Sequence, residues 1–380
     1  MTTETIEFST NRWESIVSDL LSETPIQLNG SHKYDIDVVN PDFYKRVLKE
    51  GSIGLGESYM NGWWQCDQLD QMFYYLLKYQ VDQKKPSSIK DTLFVLQSRL
   101  FNMQSKKRAW MVGEEHYDLG NDLYEGMLDP YMQYSCGYWK EADDLETAQE
   151  NKLKLICEKL QLKKGETLLD IGCGWGGLSE YAAKHYGVNV TGVTISKEQQ
   201  AYGMNRCRDL PVDLRLCDYR DLSETFDKIV SVGMFEHVGP KNYQTYFDVV
   251  SRCLKPEGLF LLHSIGGNET KVNVDPWINK YIFPNGVLPS IEQISHVSQQ
   301  SLVMEDWHNF GSDYDKTLMA WKERFNQSWQ QIKDNYSDKF YRMFNYYLSS
   351  CAGAFRARDI QLWQVLFSKN GAEGGIRVPR

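Results

Sequence analysis

Leu168-Leu169-Asp170-Ile171-Gly172-Cys173-Gly174-Trp175-Gly176-Gly177 is an apolar run that ends in a carboxylate and passes straight into a loop nearly devoid of side chains. Glycine accepts positive φ and lets backbone N–H groups approach a ligand closely, and the helix that follows, about Leu178 to Tyr186, turns its positive end toward the same place. The stretch therefore predicts the first strand, loop and helix of an α/β domain with a ligand pocket beyond the strand. Working outward, Leu145 to Leu160 reads as the helix leading in. Further strands are expected near Val190, at Asp213 to Leu216, at Phe226 to Ser231 and at Leu259 to His263, with Lys255-Pro256-Glu257-Gly258 as a turn before the last.

Two ligand classes use such a pocket. Gly172, Gly174 and Gly177 satisfy G-x-G-x-x-G, which admits a nicotinamide or flavin dinucleotide. A dinucleotide site, however, wants an acid at the end of the second strand, and Val188 to Ser196 ends in hydroxyls. The acids stand elsewhere, at Asp170 before the glycines and at Asp218 after the third strand. That order suits S-adenosylmethionine, whose sulfonium and ribose gain from nearby carboxylates and which has no pyrophosphate to cradle. A glycine-rich turn without a cofactor is the plain alternative.

The chain has 380 residues and 42% hydrophobic content, enough for two domains or one with large insertions. Its net charge of −9 argues against a nucleic-acid partner. Eight cysteines are scattered without a C-x-x-C pair, as expected of reduced thiols in a cytoplasmic protein, and nothing suggests a metal centre. Met1 to Thr10 is polar and acidic, so no signal peptide is expected, and no apolar run nears the ~20 residues of a membrane span.

Residues 1–82 carry short amphipathic patterns punctuated by aromatics and predict a small, mostly helical domain in contact with lipid. Residues 83–109 read as a linker, opening with Lys84-Lys85-Pro86-Ser87-Ser88. Lys84 to Arg108 holds seven basic residues against the single acid Asp91, interleaved with Leu93, Phe94, Val95, Leu96, Leu100, Phe101 and Met103. Such a helix can lie on an anionic bilayer or serve as a packed connector. Residues 110–380 form the catalytic domain, interrupted at about 266–347 by a Trp- and Tyr-rich insertion that reads as a lid or substrate wall, or as a packed extension. Phe355 to Phe367 returns to a strand-and-hairpin pattern.

Several stretches together resemble the cyclopropane-fatty-acyl-phospholipid synthases and their mycolic acid relatives. They are His116 to Asn121, Met132 to Trp139, the glycine loop, Gly192 to Ser196, Gly233-Met234-Phe235-Glu236-His237-Val238-Gly239 and Asp306 to Gly311. Gly54 to Met60 and Trp63-Trp64 resemble the N-terminal domain of the phospholipid-acting branch. The resemblance implies a Rossmann-like class I S-adenosylmethionine methyltransferase with a small helical N-terminal domain. It further implies methylene transfer to the cis double bond of an unsaturated membrane phospholipid, a homodimer, and peripheral association with an anionic surface at the inner face of the membrane.

The resemblance also implies site residues. Glu236 and His263 would grip a bicarbonate base by their side chains, Tyr314 would add its hydroxyl, and Cys136 and Ile265 would contribute mainly backbone N–H groups. From the residues alone, only Glu236 or His263 is a candidate base, and a His after a core strand is equally a packed residue. Cys351 is carried over too, although Ser349 to Ala354 offers no base partner and a structural thiol suits it better. For the cofactor, Tyr134 and Ser135 would close over it, and Asp170, Gly172, Cys173, Gly174, Trp175 and Gly176 would line it. Thr194, Ile195, Ser196 and Gln199 would meet the ribose side, with Asp218, Tyr219 and Arg220 at the adenine; relatives often carry Trp-Glu where this chain has Tyr219-Arg220. Competing readings are a methyltransferase acting on an amine or another lipid, a catalytically idle lipid-binding protein, and a dehydrogenase. Gly174→Asp is expected to abolish S-adenosylmethionine binding, measured by calorimetry.

Overall fold

The computed structural model describes residues 3–84, 120–271 and 275–380. The basic segment from Lys85 to Arg108 and most of the His116 to Asn121 motif lie outside them. Two compact units emerge, one comprising Met1–Leu123, Asp275–Pro284 and Phe325–Asp359, the other Tyr124–Val274, Asn285–Arg324 and Ile360–Arg380.

The chain begins with α1 (Thr3–Leu21), β1 (Asp37–Val38), α2 (Asp42–Glu50), α3 (Ser52–Met60), β2 (Trp64–Gln65) and α4 (Leu69–Lys78), followed by α5 (Asn121–Met127) and α6 (Leu145–Lys159). Strands and helices then alternate as β3 (Thr167–Ile171), α7 (Gly177–Tyr186), β4 (Asn189–Thr194), α8 (Lys197–Arg206), β5 (Val212–Leu216), β6 (Phe226–Val232), α9 (Tyr243–Cys253) and β7 (Leu254–Gly267). Last come α10 (Pro276–Tyr281), α11 (Ile291–Ser298), β8 (Val303–Asn309), α12 (Ser312–Ile332), α13 (Asp338–Arg356) and β9 (Ile360–Ser368).

The first unit is mainly helical. Gly56 has no side chain because the Trp277 indole of α10 occupies the space; a Cβ there would come within 2.3 Å of it. Glu57 accepts hydrogen bonds from Lys280 (2.7 Å) and Tyr281 (2.8 Å) and pairs with Arg46. Arg342 of α13 donates to the carbonyls of Tyr59 (2.6 Å) and Trp64 (3.0 Å). The amphipathic α13 thus packs on α3 and α4, and the expected boundaries are cut across: residues 275–284 and 325–359 fold with the N-terminal segment.

The second unit holds a seven-stranded sheet in the order β5-β4-β3-β6-β7-β9-β8. Strands β3 to β7 are parallel, whereas β9 runs antiparallel to both β7 and β8. Because both faces are covered, the strands are apolar on each side. Leu168, Val190, Leu261 and Leu366 pack with α6 and α7, while Leu169, Val193, Phe260 and Leu262 pack with α9. The chain moves from β3 to β4 in one direction and resumes with β6 on the other flank, which opens a crevice at the C-terminal ends of β3 and β6.

Three expectations need correction. Lys255–Gly258 is no separate turn but an irregularity inside β7, where Phe226 pairs with Leu254 and Lys228 with Leu259. The stretch 266–347 is not wholly an interruption, since it supplies the edge strand β8. The C-terminal strand forms no hairpin; β8 and β9 pair although α12 and α13 separate them in sequence.

Gly177 opens α7, and a Cβ on it would lie 1.9 Å from the Tyr131 carbonyl oxygen and 2.6 Å from the Gln133 amide nitrogen. Gly177→Ala is expected to cost about 2 kcal/mol in unfolding experiments, because backbone rather than a movable side chain must yield.

Candidate active site

The crevice begins with the glycine turn. Gly172, Gly174 and Gly176 have φ of 82°, 53° and 78°, conformations that a side chain resists. The N–H groups of Gly172 and Cys173 donate to Val193 O at 2.9 and 3.1 Å, fastening the turn to β4. Asp170 is buried and accepts a 2.8 Å hydrogen bond from Ser179. Burial raises its carboxyl to about 6 against the lowering effects of Ser179 and Lys152.

At the end of β4, Thr194 Oγ1 bonds Gln199 Oε1 at 3.1 Å, and Ser196 caps α8 by accepting from Gln199 N at 3.3 Å. Ile195 beside them is 83% exposed. Beyond β5, Asp218 receives the Arg220 guanidinium at 2.9 and 2.6 Å, and Tyr219 packs edgewise on Tyr246. Asp218 is therefore engaged by its own neighbour, and its carboxyl is lowered by that bond.

The segment Gln133 to Trp139 closes the next side. Tyr134 contacts Tyr124, which contacts Trp175 of the glycine turn, and Tyr134 also meets Trp321 of α12. Helix α6 grips the segment from below: Gln149 donates to Ser135 O at 2.8 Å, while Lys152 donates to Ser135 Oγ at 3.0 Å and to Gln133 Oε1. Helix α12 holds its far end. Thr317 Oγ1 accepts from Gly137 N (3.0 Å) and from the Trp139 indole (2.9 Å), and Asp313 accepts from Trp139 N at 2.8 Å. Tyr314 rides on the same helix and packs edgewise on Trp321. Cys136 is fully buried, which pushes its thiol well above the ordinary range.

Glu236 sits in a single 3-10 turn after β6, and His263 lies on β7 opposite Val232. Ile265 N–H donates to Glu236 Oε1 at 2.6 Å. The other carboxylate oxygen, Oε2, is buried with no partner, and so is His263 Nε2. Burial raises Glu236 to about 7, while burial together with Lys152, Lys159 and His308 drives His263 well below its ordinary value. His263 is thus a neutral imidazole. Gln364 Nε2 stands 3.3 Å from His263 Nδ1; with that amide donating, Nδ1 accepts and the ring proton resides on Nε2. One orphaned acceptor and one orphaned donor fit a small protonated oxyanion, since a buried polar atom left unpaired is costly.

Tyr134, Ser135, Cys136, Asp170 to Gly176, Thr194 to Gln199, Asp218 to Arg220, Glu236, His263, Ile265 and Tyr314 all belong to the second unit. Two expectations change. The Ile265 N–H is committed to Glu236 rather than left for an oxyanion, and Cys351 belongs to α13 in the other unit, its thiol raised by burial to about 12. Among the described residues no group of three or more His, Cys, Asp or Glu is placed to hold a metal ion. Lys152, Gln149 and Thr317 were missed. The available signal was a lysine and a glutamine on the apolar face of α6.

The profile of a family described as mycolic acid cyclopropane synthetase matches residues 104–365. Cyclopropane-fatty-acyl-phospholipid synthase of Escherichia coli (strain K12) is 64% identical over 377 residues, covering 99% of this chain and 98% of that protein. Among solved structures, the cyclopropane synthase MmaA2 from Mycobacterium tuberculosis is 32% identical, with a TM-score of 0.63 and coverage of 67% of this chain and 96% of that one. The mycolic acid cyclopropane synthase CmaA1 complexed with SAH and CTAB is 33% identical, with a TM-score of 0.63 and the same coverages.

Because the Glu236 carboxyl is raised from 4.5 to about 7, the folded state binds its proton more tightly than the unfolded chain. The associated stability is present in full below about pH 4 and is lost as pH rises through 7. Glu236→Gln is therefore expected to stabilise the fold above pH 7, by an amount on the order of 3 kcal/mol, and to leave it unchanged near pH 4, as followed by denaturant unfolding.

Proposed function

The chain belongs to the mycolic acid cyclopropane synthetase family, and from that premise we propose that it adds a methylene across the cis double bond of an unsaturated phospholipid acyl chain, with bicarbonate as the proton acceptor. It is an S-adenosylmethionine-dependent methyltransferase that forms cyclopropane fatty acyl groups. The observation that carries the finer reading is the pair of buried unpartnered atoms, Glu236 Oε2 in the turn after β6 and His263 Nε2 within β7.

S-adenosylmethionine, when bound, supplies an electrophilic methyl group that an isolated alkene can attack if it is held in line. The methylated chain is a carbocation, and a proton must leave the new methyl group for the ring to close. Bicarbonate, when bound, would supply the acceptor for that proton. Glu236 Oε2 would accept the O–H of bicarbonate and keep it basic, while His263 Nε2–H would donate to an oxygen. Tyr314 and the backbone at Cys136 complete the proposed ligand set. Ile265 contributes through Glu236, whose Oε1 it immobilises.

Phe310, T-shaped to His263 at 5.8 Å, together with Tyr134 and Trp321, makes an aromatic wall that disfavours water, which would otherwise trap the cation. The turn from Gly172 to Gly176, Asp170, Thr194, Ile195, Ser196 and Gln199 are assigned to the cofactor, with Tyr219 at the adenine. Association with an anionic membrane surface and a homodimeric state belong to the same reading; among the described residues no helix is long and apolar enough to cross a membrane.

The test is mass spectrometry of acyl chains after the protein meets S-adenosylmethionine and vesicles of a mono-unsaturated phospholipid. A ring-bearing chain with one added methylene, formed only when bicarbonate is present, is the expected product. A methylated alkene would overturn ring closure, and no lipid product with the cofactor still bound would turn attention to an amine substrate. Glu236→Ala should keep cofactor binding while turnover falls about a hundredfold or more.

A further inference from the structure

Lys152 is a fully buried lysine to which the proposed chemistry gives no task beyond helping to keep His263 neutral. Lysine is almost never fully buried unless paired, because removing an ammonium from water is costly. Its hydrogen-bond partners here are both neutral, Ser135 Oγ at 3.0 Å and Gln133 Oε1. Asp129 and Asp170 lie close enough to favour its charge, and although burial lowers it to about 8 it stays largely cationic at neutral pH. Asp129 is itself occupied, accepting the N–H groups of Tyr131 and Gln133 at 2.8 Å each, and Asp170 accepts from Ser179.

The placement of this ammonium is specific. Tyr131 and Gln133 abut Gly177 at the head of α7, and Tyr134 reaches Trp175 through Tyr124. The segment that carries Ser135 therefore runs from the buried cation alongside the glycine turn. Gln149 fixes its carbonyl and Lys152 fixes its hydroxyl oxygen as an acceptor, so the Ser135 O–H proton must be directed at some other acceptor. A hydroxyl polarised by an ammonium and aimed away from it is a donor suited to an anion. S-adenosylmethionine has one anionic group, the carboxylate of its methionine part.

We propose that Lys152 is a positioning residue for the cofactor: through Ser135 and by its buried charge it selects the amino-acid carboxylate of S-adenosylmethionine. The inference rests on the cofactor assignment made above and deepens it. A strut that only held the Gln133 to Trp139 segment would matter equally for any ligand of the crevice. A carboxylate selector matters only for ligands that carry the carboxylate.

Calorimetric titration of the full chain with S-adenosylmethionine and with decarboxylated S-adenosylmethionine separates the two. Lys152→Met, which keeps volume and removes the donors, is expected to weaken S-adenosylmethionine binding about tenfold to a hundredfold and to leave the decarboxylated ligand unaffected. Equal losses for both ligands, or no loss for either, would overturn the assignment. Should Lys152→Met fail to fold, Ser135→Ala makes the same comparison, with the same carboxylate-dependent loss expected and a carboxylate-independent one overturning it. A wild-type chain that binds neither ligand would instead remove the cofactor reading itself, and this inference with it.

Discussion

The hydrogen bond from Ile265 N–H to Glu236 Oε1 is the contact on which the proposed chemistry turns. A carboxylate buried at the end of a sheet strand either neutralises itself or finds donors, and here the Ile265 N–H holds one oxygen while the other has none. The other oxygen is left buried and unpaired, as is Nε2 of a histidine that burial, aided by the Lys152 and Lys159 ammonium groups, keeps neutral. Parallel strands make this possible. They bring the end of β6 and the middle of β7 to one edge, so a turn residue and a strand residue remote in sequence share a pocket. Saturating both oxygens with backbone donors would give a quieter fold and an inert one.

The side proposed for the cofactor is built on the opposite principle. Asp218 is held by Arg220, Thr194 by Gln199 and Asp170 by Ser179, so nearly every polar group there has a local partner. What the glycine turn adds is open backbone. The segment from Gln133 to Trp139 links the two sides, because it is tied to α6 beneath Ser135 and to α12 beside Cys136 and Tyr314. A displacement of either helix would be felt on both the proposed cofactor side and the proposed oxyanion side, which makes the segment a mechanical coupling as well as a wall.

Legibility in the sequence followed locality. Strands β3 to β7 were readable because each is an apolar run bounded by turn residues, and the glycine turn declared itself through residue type. Glu236 and His263 could be nominated, but not their orphaned atoms, since those depend on how Ile265 and Gln364 are aimed. Lys255–Gly258 was misread because Pro and Gly in a strand can mark an irregularity as well as a turn. The partners of α10 and α13 were hidden: amphipathicity tells that a helix has an apolar face, never which distant surface covers it. Lys152 was hidden more deeply, for a polar residue on an apolar helical face looks like a defect in the pattern until its partners are seen.

The place of β9 in the sheet has a consequence for how the chain acquires its structure. Ile360–Ser368 lies between β7 and β8, both of which precede it in sequence by long helical stretches. Until it arrives, β7 presents a bare apolar edge and β8 has no neighbour at all. On a ribosome the parallel half of the sheet can assemble early, whereas the antiparallel half must wait for its central member. The half-made sheet is therefore the aggregation-prone species of biosynthesis, and chaperone occupancy should concentrate on that exposed edge while α12 and α13 are still emerging.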